Sequence, residues 1–313
     1  MFRDEFLWVE KYRPRMIDDC ILPDELKHTF KTFIEQDNVP NLLLAGGPGV
    51  GKTTVARAML EEMDCDYIVI NGSMNGNIDT LRHEIRNFAS AVSFTGSRKY
   101  VILDEADYLN PNSTQPALRN FMEEFSKNCG FVFTCNYKNR IISPLHSRCS
   151  VVDFKIPGSE KPSIAAKFWE RTMKILDMEN VEYDKKVIAE VVNKYFPDWR
   201  RVLNELQRYS AAGKIDSGIL SKVKDISISN LVDAMKAKKF SEVRKWVAQN
   251  IDNEPTAIFR KLYDNAHEHL EPASIPQLVL TIADYQYKSA FVVDQEVNMV
   301  ACLTELMVQC EFK

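Results

Sequence analysis

The segment Gly46-Gly47-Pro48-Gly49-Val50-Gly51-Lys52-Thr53 constrains this chain more than any other. It has the pattern G-x-x-x-x-G-K-[ST], and both flanks are of the kind the pattern needs. Ahead of it lies an apolar run, Leu42-Leu43-Leu44-Ala45. Behind it, Thr54 to Met63 reads as a helix with Ala56, Met59, Leu60 and Met63 on one face. Glycines let successive backbone N–H groups curl inward on phosphate oxygens, and the helix that follows adds the positive end of its dipole. In such a loop Lys52 reaches the β- and γ-phosphates and the Thr53 hydroxyl holds Mg²⁺. The chain is therefore predicted to bind a nucleoside triphosphate, cradled by Gly47, Pro48, Gly49, Val50, Gly51, Lys52, Thr53 and Thr54.

Downstream, apolar strands alternate with helix-like stretches. Tyr67–Asn71 and Tyr100–Leu103 read as buried strands, with a helix between them from Asn77 or Asp79 to about Phe88. The second strand ends in Asp104-Glu105-Ala106-Asp107. A carboxylate at the end of an apolar strand downstream of a phosphate loop is the second half of a P-loop NTPase site. Asp104 is expected to hold Mg²⁺, and Glu105 to orient and deprotonate the attacking water. A helix from about Gln115 to Ser126 follows, with Pro116 tolerable only in its first turn. Then come a strand at Phe131–Cys135 ending in Asn136, and a last strand from Val151 to Ile156. This alternation predicts an α/β fold with a parallel sheet covered on both faces.

Beyond Pro157-Gly158-Ser159 the pattern is helical. Ile164, Phe168, Met173 and Leu176 lead to Val187, Ile188, Val191 and Val192, and then to a helix with Trp199, Val202, Leu203 and Leu206. Gly213 to Gly218 reads as a second linker. A last helical region carries Leu231, Met235, Phe240, Val243 and Val247, with its strongest helices at Leu278–Ala290 and Val297–Val308. The expected domains are 1–157 (ATPase), 158–217 (helical lid) and 218–313 (helical collar). The strip Trp8–Pro14 is expected to run extended across the surface of the first domain, because Arg13-Pro14 forbids helix there.

With a net charge of −4, any nucleic acid must be met by a local basic surface. Seven scattered cysteines, an odd number with no C-x-x-C pair, argue for a reducing, cytoplasmic setting and against a zinc site or a disulfide framework. The charged start, Met1 to Glu5, lacks the apolar run of a signal peptide. No stretch approaches the roughly 18 apolar residues of a membrane span.

Several motifs occur in one order: Trp8–Pro14, Gly46–Thr54, Asp104–Asp107, Thr134-Cys135-Asn136, Ser147-Arg148-Cys149 and Pro197-Asp198-Trp199-Arg200. In this order they resemble the sliding-clamp loader ATPases of the AAA+ superfamily, both replication factor C small subunits and the large clamp-loader subunits of T-even-type bacteriophages. The resemblance implies a P-loop sheet domain, a helical lid and an all-helical collar. It implies an adenine pocket from Val9, Glu10, Lys11, Tyr12 and Arg13, with Ile21 nearby. Asn136 matches a first sensor of the γ-phosphate and Arg200 a second one on the lid. Arg148 matches an arginine finger aimed at the ATP of a neighbouring subunit. Two features depart from the family: Gly46-Gly47 opens the loop, and Pro116 interrupts the stretch that relays DNA contact to Asp104 and Glu105.

The partners implied are a sliding clamp, primer–template DNA, further copies of this chain and a different small subunit in a five-position ring, with no membrane. Arg82 and Arg86, with Asn77 and Thr80 beside them, are the implied DNA contacts, made to phosphates and so without base specificity. Val92-Ser93-Phe94 is a candidate clamp contact. The rival functions are another AAA+ replication machine (an initiator or helicase loader) and a structural ring subunit. An initiator would carry a basic recognition helix, which is not apparent after Ser227. A structural subunit has no use for an intact set of Lys52, Thr53, Asp104, Glu105 and Arg148.

Overall fold

Period-two alternation in the strands sets up the architecture. In β1 (Leu42–Ala45), Leu42 and Leu44 face one side and Leu43 and Ala45 the other, all four buried. In β3 (Lys99–Asp104), Tyr100 and Ile102 oppose Val101 and Leu103 in the same way. With β2 (Tyr67–Asn71), β4 (Cys129–Cys135) and β5 (Ser150–Asp153) they form a five-stranded sheet in the order β2-β3-β4-β1-β5, every pair parallel. A sheet apolar on both faces needs cover on both. One face packs on α2 (Asp24–Glu35) and α3 (Lys52–Glu62), the other on α4 (Ile78–Ser90) and α5 (Thr114–Glu124).

The computed structural model describes residues 6–74, 78–91, 98–211, 213–216, 228–250, 255–289 and 291–313, without the side chains of Ile78 and Thr80. Asn77, the Thr80 side chain, Val92-Ser93-Phe94 and the 217/218 boundary lie outside the described residues. By internal contacts the chain divides into two units, Met1–Val223 and Lys224–Lys313.

Within the first unit, α7 (Lys161–Met178), α8 (Lys185–Tyr195) and α9 (Trp199–Ser210) build a second core around Ile164, Phe168, Ile188, Val191, Val202 and Leu206. Two short strands, β6 (Glu182–Tyr183) and β7 (Lys214–Ile215), pair in parallel beside these helices. Ile215 is fully buried there, so the expected linker at Gly213–Gly218 still belongs to this helical core as far as Ile215. A two-residue strand is too short to leave a periodic signal.

The N-terminal strip also differs from expectation. Trp8–Lys11 forms one helical turn, α1, and Trp8 and Tyr12 are buried with the lid helices instead of lying over the sheet domain. The Trp8 N–H donates to Gln207 Oε1 (3.0 Å) on α9. The restriction imposed by Pro14 reaches back only to Arg13, leaving the preceding residues free to coil. At the phosphate loop the helix begins at Lys52, two residues before its expected start, because left-handed Gly51 ends the loop there. The last strand is shorter than expected and ends at Asp153.

In its described residues the second unit is built of helices, with connecting turns and one isolated antiparallel bridge between Leu270 and Phe312. Its main helices, Ser229–Lys236, Phe240–Gln249, Pro255–Asp264, Ile275–Ser289 and Gln295–Gln309, enclose Leu231, Val243, Phe259, Cys302 and Leu303. Phe240, one of the apolar positions of this region, is 47% exposed at the start of its helix. All seven cysteines are free thiols. Among the described residues no helix is long and apolar enough to cross a membrane.

Candidate functional site

The phosphate loop joins β1 to α3. Gly49 (φ 69°) and Gly51 (φ 98°) occupy the left-handed region that side chains disfavour, and this lets the loop turn sharply enough to start α3 at Lys52. Lys52 is buried. Its ammonium donates to the carbonyls of Gly46 (2.8 Å) and Gly47 (2.7 Å) and to Asn136 Oδ1 (2.9 Å). Burial pushes the Lys52 ammonium below its ordinary 10.5, while the negative charges of Asp104 and Asp107 act in the opposite direction.

The C-terminal ends of β3 and β4 meet this loop. The Thr53 hydroxyl donates to Asp104 Oδ1 (2.6 Å), and the Thr134 hydroxyl donates to the same oxygen (2.6 Å). Thr134 in turn accepts the N–H of Glu105 (3.1 Å). Glu105 sits at φ 55°, ψ 44°, a left-handed conformation costing a non-glycine residue about 1–2 kcal/mol. Strain of this kind gathers at active sites. Thr134 was visible in sequence only as part of a motif, yet it ties the two strand ends together.

A cavity lies between the loop and the lid helices. It is lined by Val9, Tyr12, Arg13 and Ile21, by Gly49 to Thr54, and by Trp199, Arg200 and Leu203. An apolar and aromatic strip thus stands opposite a phosphate cradle, an arrangement suited to a base at one end and a triphosphate at the other. Glu10 and Lys11 do not line it. Glu10 pairs with Arg13, and Lys11 donates to Glu179 Oε1 (2.7 Å) at the end of α7, where the Tyr12 hydroxyl also donates (2.5 Å). Burial would push the Glu179 carboxyl up, but these two donors outweigh it and hold it below its ordinary 4.5. Gly47 and Pro48 are likewise outside the lining, Gly47 serving through its carbonyl.

Arg171 of α7 also lines the cavity and had not stood out in sequence. It donates to the carbonyls of Tyr12 (2.9 Å) and Asp19 (2.7 Å), bracketing the base-holding strip from the lid side. The lid touches the loop as well: the Trp199 N–H donates to Gly49 O (3.1 Å) where α9 begins.

Two groups of residues lie apart from this cluster. Arg148 follows the short helix α6 (Ser143–His146) and is held by Glu123 of α5 (Nη2–Oε1 2.5 Å) and by the Pro144 carbonyl (2.9 Å), away from its own chain's cavity. Arg82 and Arg86 are exposed on α4. Arg82 lies 3.4 Å from Asp79, and Arg86 lies 3.5 Å from Glu124 and over the Phe121 ring.

Residues 42–156 match the ATPase family associated with various cellular activities (AAA), and residues 160–221 match the AAA+ ATPase lid domain of sliding-clamp-loader large subunits. The sliding-clamp-loader large subunit of Enterobacteria phage T4 is 33% identical over 99% of this chain and 98% of its own length. The chain belongs to the sliding-clamp-loader family of AAA+ ATPases. Its clamp-loader relatives include the large subunit of Escherichia phage RB69, 40% identical over 77% of this chain and 76% of that one. The replication factor C small subunit of Archaeoglobus fulgidus is 37% identical over 67% and 65%. The Thermotoga maritima RuvB Holliday junction branch migration motor superposes with a TM-score of 0.52 at 17% identity, over 80% of this chain and 85% of that one, a likeness of fold alone. As a clamp-loader ATPase of the AAA class, the chain binds ATP.

Proposed function

We propose that this chain is a catalytic subunit of a DNA sliding-clamp loader, hydrolysing ATP to place a ring-shaped clamp on primer–template DNA. The observation that carries the catalytic reading is the meeting of Thr53 and Asp104 at 2.6 Å, beside Lys52 held by Asn136 at 2.9 Å. It brings the phosphate loop, the acidic strand end and the sensor position to one place.

In this reading the base lies against Val9, Tyr12, Arg13 and Ile21, and the phosphates lie along Gly49–Thr54 with Lys52 and Arg200 facing the γ-phosphate. Thr53 and Asp104 offer two hard oxygen donors side by side, a set that fits Mg²⁺ with its remaining positions filled by water and phosphate. When bound, Mg²⁺ would neutralise charge developing on the phosphoryl oxygens. Glu105 takes the proton of the attacking water, and Asn136 positions groups around the γ-phosphate. Arg148, turned away from its own cavity, serves the ATP of a neighbouring copy once released from Glu123. A finger of that kind is worth about 10³–10⁵ in rate. Arg82 and Arg86 meet DNA phosphates. Copies of this chain, with a different small subunit, complete a five-position ring. ATP binding opens the clamp, and DNA-triggered hydrolysis releases it.

Two measurements test this. Glu105→Gln should retain ATP binding and lose turnover; undiminished turnover removes Glu105 from the mechanism. With a non-hydrolysable ATP analogue the chain should retain a sliding clamp in co-purification, and failure to do so in the presence of its partner subunit sinks the clamp-loading assignment.

A further inference from the structure

Asp107 lies in the 3₁₀ turn Ala106–Tyr108, directly after Glu105, and is 5% exposed. Its Oδ2 accepts the backbone N–H groups of Asn136 and Tyr137, both at 3.2 Å. Its other oxygen, Oδ1, is buried with no hydrogen-bond partner among the described residues. A buried carboxylate left half satisfied is an expensive feature, and turn-making alone does not require one. The carboxylate is spent on two consecutive peptides where the chain leaves β4. The first of these belongs to Asn136, whose side chain receives the Lys52 ammonium at 2.9 Å.

We propose that Asp107 is a positioning residue for ATP hydrolysis, acting through Asn136. The contacts run in one line: Asp107 fixes the Asn136–Tyr137 backbone, the fixed backbone aims the Asn136 amide, and the amide oxygen holds Lys52 at the phosphate loop. Charge-assisted bonds of this kind are stronger than neutral ones, so a carboxylate holds the two peptides more firmly than an amide would. Asp107 has no hydrogen bond to the nucleotide cradle or to the Thr53–Asp104 pair; only its charge reaches Lys52. Its loss is expected to lower kcat while leaving ATP affinity nearly intact. The inference rests on the proposed role of Asn136.

The test is a double-mutant cycle on ATP turnover by the full-length chain, purified as the oligomer it forms. Asp107→Ala should lower kcat about ten- to a hundredfold, with the ATP Kd changed less than about threefold. Asp107→Asn keeps one acceptor oxygen and should recover most of the loss. Asn136→Ala should lower kcat by itself, and adding Asp107→Ala to it should change kcat by less than about twofold, because the line is already cut. If Asp107→Ala does not fold, the cycle is run with Asp107→Asn, whose severalfold loss should vanish in the Asn136→Ala background. Losses that multiply, in a background where Asn136→Ala is itself impaired, overturn the Asp107 proposal alone. Full turnover by Asn136→Ala overturns both the sensor role and the proposal.

Discussion

Replacing Gly49 by alanine puts two structural terms on one atom. The backbone at Gly49 has φ 69°, and holding a non-glycine residue there costs about 1–2 kcal/mol. A Cβ built at this position would lie 1.7 Å from Asp198 Oδ1, 2.4 Å from its Cγ and 3.1 Å from its Cα. Asp198 must therefore move, and its Oδ1 is the cap that accepts the Arg201 N–H (3.0 Å) at the start of α9. Losing such a cap costs about 0.5–2 kcal/mol. Together the terms give roughly 1.5–4 kcal/mol. For a unit of this size the expected fall in Tm is about 5–15 °C, read by scanning calorimetry without nucleotide. Gly51→Ala is the control: φ is 98°, but nothing lies within 4 Å of the added atom, so only the backbone term applies. If Gly49→Ala and Gly51→Ala lose the same Tm, the contact between loop and lid contributes nothing and the reasoning fails.

Arg171→Met removes two bonds to the carbonyls of Tyr12 and Asp19, so the base-holding strip should loosen. ATP affinity is expected to fall about tenfold with kcat at saturation preserved; an unchanged Kd would show that the strip holds without the lid. For Lys52, the folded value lies below the unfolded 10.5, so between the two the folded chain binds fewer protons and gains stability as pH rises. ATP binding calls for the charged ammonium, so affinity should fall over that same window and binding should take up a proton. Calorimetry in buffers of different ionisation enthalpy reads this directly, and binding with no proton uptake there would mean Lys52 is not at the phosphates.

What the sequence made legible depended on whether a signal was local. Leu42–Ala45 and Gly46–Thr53 were readable because strand, loop and helix are contiguous, and the parallel sheet followed from apolar runs spaced by helices. Asp104 and Asn136 were placed at strand ends by the same logic, and the fold brings both to the loop. Contacts between distant segments left no such trace. Nothing around Arg171 or Glu179 announces that they grip Tyr12. Gln115 is fully buried, its amide donating to the carbonyls of Leu109 and Arg140 and accepting from the Ile142 N–H, yet in sequence it is one more polar residue at a helix start. The Arg148–Glu123 pair was equally hidden. The exposure of Phe240 at its helix start was likewise not visible from its place beside a periodic apolar run.

The seating of Trp8 on α9 also has a consequence for how the chain is made. Trp8 leaves the ribosome well ahead of its partner Gln207, which lies 199 residues later. At about 5–20 residues per second, roughly 10–40 s pass before that partner exists. Throughout that interval the sheet domain can fold, while an indole with no surface to sit on stays in water. Completion of α9 is what finally covers it, so a segment made before the sheet domain finds its place only after that domain is made.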